Sequence, residues 1–157
     1  MLATVLISSC AVPKNAEVKV YWDNIEPIYS KADVQYRDKI IIASRKFKDS
    51  CTKYNLVCII DPIESDCDFY GGAHNFFKLF YSNFKDSFYY KSSVTSIDFI
   101  ISRESKIENI IVHSKNKKLK KEIIKVLSLE CMNKWKPSYI SGRKIETKIQ
   151  MRLILKK

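Results

Sequence analysis

The sequence predicts an α+β fold in which two helices pack on one face of a small three-stranded antiparallel sheet. Three observations predict it. Residues 71–157 follow the order helix, strand, strand, helix, strand, and residues 144–155 alternate apolar and polar side chains as a half-buried strand does. The 157 residues are 46% apolar, so they suffice for the core of one domain with an extension before it.

The chain opens with an apolar run, Met1–Ile7, followed by small residues and Cys10. This pattern is typical of a bacterial lipoprotein signal, in which the cysteine is acylated, although no Lys or Arg precedes the run. We therefore expect residues 1–10 to be such a signal, with Cys10 as the lipidation site. A first buried strand or a disordered end is the alternative.

Residues 11–70 are predicted to form an N-terminal extension. The alternation of Val18, Val20 and Trp22 predicts one short strand. Apolar residues at steps of three and four over residues 32–54 predict an amphipathic helix. The β-branched run at 56–60 predicts a second strand, and the acidic residues that follow it, up to Tyr70, predict irregular chain.

The second half begins at Gly71-Gly72. Residues 73–84 carry phenylalanines and a leucine at helical spacing. Residues 94–101 and 107–112 are β-rich and flank a polar turn, so they predict an antiparallel hairpin.

A lysine-rich helix and a long strand complete the predicted domain. Asn116 is a typical N-cap residue for a helix over 117–132, which has one apolar face and one lysine face. A loop over 135–142 then leads to the terminal strand, 144–155.

Composition excludes several function classes. The only glycines are Gly71, Gly72 and Gly142, so neither a GxGxxG turn nor a Walker-type phosphate loop is present. The only histidines, His74 and His113, are interpreted as capping or surface residues. Without a Ser/His/Asp arrangement, a useful carboxylate pair or a metal-ligand cluster, we expect no catalytic residues, no metal and no cofactor.

Charge divides the chain into two unlike parts. Residues 1–70 carry 9 basic and 10 acidic side chains, whereas residues 71–157 carry 19 and 7. A basic half can bind nucleic acid, here through phosphate contacts of Lys117–Lys125, or it can be a solvated face. Because the aromatic residues are at core spacing rather than free for base stacking, we expect nucleic acid to be an unlikely partner.

The cysteines allow a disulfide. Cys51, Cys58 and Cys67 lie within seventeen residues, at spacings that do not match a CxxC motif. An exported protein could pair two of the three, whereas buried free thiols are the alternative. Cys131 lies on a predicted helix face and is interpreted as a small core residue.

The motifs of the second half resemble those of a known family. Gly71-Gly72 precedes the aromatic helix, the hairpin follows, and Met132-Asn133-Lys134-Trp135-Lys136-Pro137 is followed by Gly142-Arg143-Lys144-Ile145. Residues 71–157 thereby resemble the C-terminal domain of TonB-type energy-transducing proteins, in the version common in Bacteroidetes. We expect structural roles for the residues that carry the resemblance, namely Gly71, Gly72, Trp135, Pro137 and Gly142.

The chain also departs from the family pattern. The hairpin turn at 102–106 lacks the usual glycine, and Asn133 stands where a proline is common. A full TonB carries a transmembrane helix and a proline-rich spacer, and this sequence shows neither. We therefore expect a domain that does not transduce energy itself.

The resemblance implies a protein-binding module of the periplasm or cell envelope rather than an enzyme. In the family, a sheet edge captures an extended segment of an outer-membrane receptor by strand addition. The candidate edge here is Lys148–Leu155, which would offer Lys148, Gln150 and Arg152 to a partner. The edge could instead be covered by residues 16–68 or paired in a homodimer, and the chain could be a structural lipoprotein without a transport role. An acylated Cys10 would add a membrane anchor.

Overall fold

The computed structural model describes residues 17–59, 64–84 and 92–156, which form an α+β fold with a mostly antiparallel sheet. The predicted signal with Cys10 lies outside the described residues. The described helices are α1 Lys31–Lys53, α2 Gly72–Asn83 and α3 Lys117–Leu127. The described strands are β1 Glu17–Ile28, β2 Glu64–Ser65, β3 Asp68–Phe69, β4 Ser93–Ile101, β5 Ile107–His113, β6 Trp135–Lys136, β7 Ser138–Ile140 and β8 Arg143–Lys156.

The sheet is built around β8. β4 pairs antiparallel with residues 147–155 of β8, and β5 pairs with the far side of β4. β1 pairs antiparallel with residues 146–156 of β8, and it must lie on the opposite side from β4 because both strands pair with the same residues. β7 joins the first residues of β8 and also pairs with β2, while β3 and β6 form a separate two-stranded ribbon.

The core lies between one face of this sheet and the helices α2 and α3. Alternate residues of β8, from Ile145 to Leu155, are buried as the sequence pattern predicts. Phe76 and Phe80 of α2 and Ile123 of α3 are fully buried against them. Period-two alternation in the strand and three-to-four spacing in the helices thus bury a shared apolar layer.

Several predicted elements are confirmed. The helix expected over 32–54 is α1, the hairpin is β4–β5, and the terminal strand is β8. The side chain of Asn116 accepts hydrogen bonds from the backbone N–H groups of Lys118 and Leu119, as an N-cap residue does. α3 ends at Leu127, earlier than predicted, and a short 3₁₀ turn follows at Glu130–Met132.

Other predictions are wrong. Residues 56–59 of the expected strand 56–60 form a loop with Val57 fully exposed, because the Cys51–Cys58 disulfide and the hydrogen bond from Leu56 N–H to the Cys51 carbonyl fold this segment back onto the end of α1. The short strand expected near Val18 is the twelve-residue β1. The segment after residue 63 and the loop at 135–142, both expected to be irregular, contain β2, β3, β6 and β7.

The N-terminal end of α1 is fixed by one buried carboxylate. Ser30 and Asp33 form a capping box in which each side chain bonds the other residue's backbone N–H. The Asp33 carboxylate also forms ion pairs with two arginines. Arg103 Nη2 lies 2.9 Å from Asp33 Oδ2, and Arg143 Nε lies 3.1 Å from Asp33 Oδ1. The helix is therefore attached to the turns at one end of the sheet.

None of the helices in the described parts of the chain combines the length and the apolar character that crossing a membrane requires.

Candidate protein-binding surface

The three residues predicted to bind a partner, Lys148, Gln150 and Arg152, lie on the half-exposed face of β8. The expected free edge is absent from the described sheet, because β8 is paired on both sides. Lys148, for example, lies opposite Glu26 of β1 and opposite Ile100 of β4. The structure agrees with the alternative that residues 16–68 cover this edge. β1 pairs with the side of β8 that β4 leaves open. This side lies next to the core, so pairing there buries the apolar side chains of Val20 and Trp22.

Arg152 is engaged by β1. The register advances from Trp22 opposite Met151 to Asn24 opposite Gln150, so Asp23 is the extra residue of a β-bulge. The Asp23 carboxylate oxygen Oδ2 accepts from Arg152 Nε at 2.9 Å and lies 2.8 Å from Nη2. The Arg152 guanidinium also lies over the Tyr21 ring, 5.8 Å from its centroid. This predicted contact residue thus already binds the chain's own strand.

Lys148 and Gln150 surround Asp98 of β4. Lys148 Nζ lies 3.8 Å from Asp98 Oδ2, and Gln150 Nε2 donates to Asp98 Oδ1 at 3.4 Å. His113 Nε2 lies 3.3 Å from the same carboxylate. The polar face of the sheet therefore carries a small charge network centred on Asp98, and its members are partly solvent-exposed.

The outer edges of the described sheet are protected at specific main-chain groups. The backbone N–H of Val20 points away from β8 and donates to the Tyr81 hydroxyl at 2.8 Å. At the other side, the N–H of Ile107 in β5 donates to Asn133 Oδ1 at 2.8 Å. Asn109 has φ +53°, within a register irregularity of β5. Side-chain caps and bulges at strand edges discourage unwanted pairing with another chain.

The residues that carry the family resemblance serve the backbone. Trp135 is buried, and its indole N–H donates to the Met132 carbonyl at 2.8 Å. Gly142 has φ +83° in the turn that enters β8. At Gly71, also φ +83°, an added Cβ would approach the Asn75 side chain to 2.9 Å. Gly72 has φ +76°, and Pro137 is buried between β6 and β7. These residues therefore have structural roles in turns and in the core.

Of the candidate cysteines, Cys51 and Cys58 form a disulfide, with their Cα atoms 6.1 Å apart. Cys67 is a buried free thiol and Cys131 a half-buried one. The pKa of Cys67 is raised to about 12, mainly by burial of the thiol. A hydrogen bond with Thr147 acts in the opposite direction, and the negative charges of the nearby Asp68 and Asp66 raise the pKa further. Cys67 is therefore protonated and unreactive at neutral pH.

A cavity at the surface of the described residues measures about 550 Å³ and is open to solvent. Residues 68–71 and 134–136 line it, with the rings of Phe69 and Trp135 among them. The ionisable side chains in the lining are Asp68, Tyr70, Lys134 and Lys136. Within residues 17–59, 64–84 and 92–156, no three His, Cys, Asp or Glu side chains form a group that could hold a metal ion.

Comparison with known proteins adds no relative: no family model, curated protein or solved structure matches the chain. The resemblance of residues 71–157 to TonB C-terminal domains therefore stays a prediction from their motifs. The physical arguments for function come from the geometry of β8 and its neighbours.

Proposed function

We propose that this chain is a protein-binding module of the cell envelope, and that it binds an extended partner segment by strand addition to β8. The observation that carries this proposal is the β1–β8 pairing. β8 accepts a strand from a remote segment over eleven residue pairs. Strand addition depends on main-chain hydrogen bonds, so one strand can be replaced by another of suitable sequence.

The finer fold assignment is part of the same proposal. β5, β4 and β8 form three consecutive antiparallel strands, and α2 and α3 bury side chains in one core against them. This arrangement supports a TonB C-terminal-like organisation of residues 71–157. In that organisation β1 occupies the edge that a receptor segment uses.

An envelope location is supported by the disulfide between Cys51 and Cys58. Disulfides persist mainly in oxidising compartments such as the periplasm. Acylation of Cys10, proposed from the signal-like sequence before it, would hold the module at a membrane.

Binding at β8 requires at least part of β1 to leave. The half of β1 before the Asp23 bulge contains buried Val20 and packs Trp22 against the core. In the half after the bulge, Asn24, Ile25 and Glu26 are exposed. This second half therefore detaches at lower cost, and its departure uncovers the part of β8 that contains Lys148 and Gln150.

The partner class follows from what the surface offers. The lysine face of α3 is exposed, which suits phosphate contacts, but Phe76, Phe80 and Phe99 are fully buried and offer no base-stacking platform. A protein segment, such as one from an outer-membrane TonB-dependent receptor, fits better than nucleic acid.

The paired β8 also fits a second candidate function. The chain would then be a structural lipoprotein in which β1 stays paired with β8 permanently.

A disulfide lock between β1 and β8 distinguishes the two candidates. Ile25 and Ile149 are register partners in the half of β1 that has to detach. The outward N–H of Val20, opposite Leu153, places the odd-numbered residues of β8 in the non-hydrogen-bonded class toward β1, where Cα atoms are about 4.5 Å apart and a disulfide fits. The Ile25→Cys/Ile149→Cys chain should bind extended receptor plug-region peptides when reduced and lose them when oxidised, as measured by fluorescence anisotropy.

The matched control is Val18→Cys/Leu155→Cys, which locks the first half of β1 through a pair of the same class and leaves the second half free to detach. Its oxidised and reduced forms should bind the peptides equally. If the folded parent chain binds none of the peptides, strand addition at β8 is wrong and the structural lipoprotein is favoured.

A further inference from the structure

The far end of α1 and the loop after it carry a cluster of exposed apolar side chains. Within thirteen residues, these are Phe47 (53% exposed), Tyr54 (65%), Leu56 (62%), Val57 (100%) and Ile59 (89%). We call this cluster the α1 tip. Single exposed apolar residues are ordinary, but a contiguous group of this kind marks an interaction site.

The α1 tip is an ordered structure rather than a loose loop. The Cys51–Cys58 disulfide folds the loop back onto the end of the helix. The backbone N–H groups of Asn55 and Leu56 donate to the carbonyls of Thr52 and Cys51 at 3.2 and 2.9 Å. Asn55 supplies the positive φ, +52°, that this reversal needs. The fold thus holds the apolar side chains outward.

The tip stands away from the rest of the described chain. At 1.5 Å per residue, the 23-residue helix is about 35 Å long, and its attachment through Asp33 is at the opposite end. Along the whole helix only Asp33 and Cys51 are buried. Of the face that the spacing predicts to be apolar, Tyr36 and Ile40 are half-buried, whereas Ala43 and Phe47 are exposed and lead to the α1 tip.

Positive charge surrounds the tip. Arg45, Lys46, Lys48 and Lys53 are exposed on the last turns of α1, against Asp49 as the one acidic side chain there. Lys53 Nζ lies 5.5 Å from the centroid of the Tyr54 ring. Apolar side chains within a basic surround complement an anionic bilayer, in which the acyl boundary receives the apolar groups and the lipid phosphates receive the lysines. A hydrophobic groove of a protein would match the apolar side chains but leave the cations unmatched.

We infer that the α1 tip binds the surface of an anionic membrane, with Val57 and Ile59 inserted and Lys46, Lys48 and Lys53 on lipid phosphates. This contact is independent of strand addition at β8 and of an acyl group at Cys10. This contact would hold the C-terminal end of α1 at the bilayer. The sheet would then be directed away from the bilayer or lie along its surface.

The test is flotation of the full chain with vesicles of phosphatidylcholine, with or without phosphatidylglycerol. Cys10→Ser removes the acylation site, and the Cys51–Cys58 disulfide is verified by mass. The chain should float with the anionic vesicles and far less with the neutral ones. Val57→Asp/Ile59→Asp should reduce the partition coefficient at least tenfold, and the folded structure is not at risk because both positions are exposed.

Charge variants provide a matched pair. Each lysine near an anionic surface contributes roughly fivefold to binding, so Lys46→Gln/Lys48→Gln/Lys53→Gln should lower it on the order of a hundredfold. Lys117→Gln/Lys118→Gln/Lys121→Gln removes the same charge from exposed positions on α3 and should leave binding close to that of the parent. In addition, Val57→Trp emission should shift to the blue on anionic vesicles, whereas Lys120→Trp emission should not.

Three results would overturn the inference. The first is absence of parent binding to anionic vesicles, and the second is equal loss in the two lysine variants, which would indicate a diffuse charge effect. The third is self-association that Val57→Asp abolishes without any vesicle binding, which would identify a second copy of the chain as the occupant of the tip.

Discussion

At the scale of single residues, the carboxylate of Asp33 holds the N-terminal end of α1 against the sheet. Burial raises the pKa of Asp33, but the hydrogen bonds from the Ser30 hydroxyl and N–H and the charges of Arg103 and Arg143 outweigh it. The pKa therefore lies below its ordinary value, and Asp33 is ionised at neutral pH. A fully buried charge with these partners is costly to remove, because it leaves the two arginines without their counter-ion.

Asp33→Asn should lower the free energy of unfolding by about 3 kcal/mol, because one partner of a buried ionic group is lost. Urea denaturation measures the change. Asp38→Asn is the control, since Asp38 is exposed and lies 3.7 Å from Arg37 at the surface, where ion pairs contribute little. Equal effects of the two substitutions would contradict the role assigned to Asp33.

The lowered pKa of Asp33 also predicts a pH dependence. Its contribution to stability is present above the unfolded-state pKa, about 3.9, and is lost as the pH falls through the lower folded-state value. The stability difference between the parent and Asp33→Asn should be constant from neutral pH to about pH 5 and should narrow below about pH 4. Urea midpoints across this range test the prediction, and a difference that grows in acid would refute it.

The cysteines should differ in reactivity. In the native chain, iodoacetamide at neutral pH should leave Cys67 unmodified because its thiol is buried and protonated, whereas half-buried Cys131 should react slowly. Peptide mapping by mass spectrometry identifies the alkylated sites. Denaturation without reductant should make Cys67 reactive while Cys51 and Cys58 stay protected by their disulfide, and early labelling of native Cys67 would argue against its burial.

At the scale of elements, β1 consists of two unequal halves separated by the Asp23 bulge. Before the bulge, the Trp22 ring lies 4.6 Å from that of Phe76, 4.8 Å from Phe77 and 6.0 Å from Trp135, measured between centroids. After it, Ile25 is 38% exposed. Aromatic packing therefore holds the first half, while main-chain pairing holds most of the second.

Substitution should reveal this division. Trp22→Ala should reduce the free energy of unfolding by about 3 kcal/mol. This value is at the lower end of the range for replacement of a large aromatic residue by alanine, because the Trp22 indole is half-buried. Ile25→Ala, the control beyond the bulge, should change it by about 0.5 kcal/mol or less. Denaturation curves measure both, and similar values would show that the two halves are equally important.

At the scale of the whole molecule, the core depends on contact between distant parts of the chain. β1 pairs with β8, so that Glu17 lies opposite Lys156. β1 also places Val20 and Trp22 against residues of α2 and against Trp135. Loss of β1 would therefore expose both β8 and part of the aromatic core.

Removal of residues 1–28 should lower the thermal midpoint and make the chain prone to association through β8. Addition of a synthetic peptide of residues 17–28 should raise the midpoint, and the increase should grow with peptide concentration because the peptide binds only the folded state. A scrambled peptide of the same composition should have no effect. If the two peptides behave alike, the β1–β8 pairing is not specific.

The sequence permits prediction of the elements whose signals are local. The alternation from Ile145 to Leu155, the Asn116 cap and the spacing of the phenylalanines in α2 all depend on neighbouring residues, and the structure has each of them. From the sequence, cover of the β8 edge by residues 16–68 is one alternative, but the pairing of β1 with β8 is not predicted, because strand register between distant segments is set by burial in three dimensions. The β-branched Val57 and Ile59 predict a strand over residues 56–59, but the Cys51–Cys58 disulfide holds this segment at the end of α1, and the sequence leaves open which cysteines pair. For the candidate site, the alternation of β8 predicts that Lys148, Gln150 and Arg152 share one face, and the structure has them half-exposed on it, whereas Asp23, which binds Arg152, has no motif that marks it.

The position of β8 in the chain has a consequence for biosynthesis. β8 is the last described strand to be synthesised, yet β1, β4 and β7 all pair with it. Until residues 143–156 leave the ribosome, these three strands have no central partner and cannot complete the sheet. The sheet is therefore completed only after residues 143–156 have been made, although β1 precedes them by more than a hundred residues.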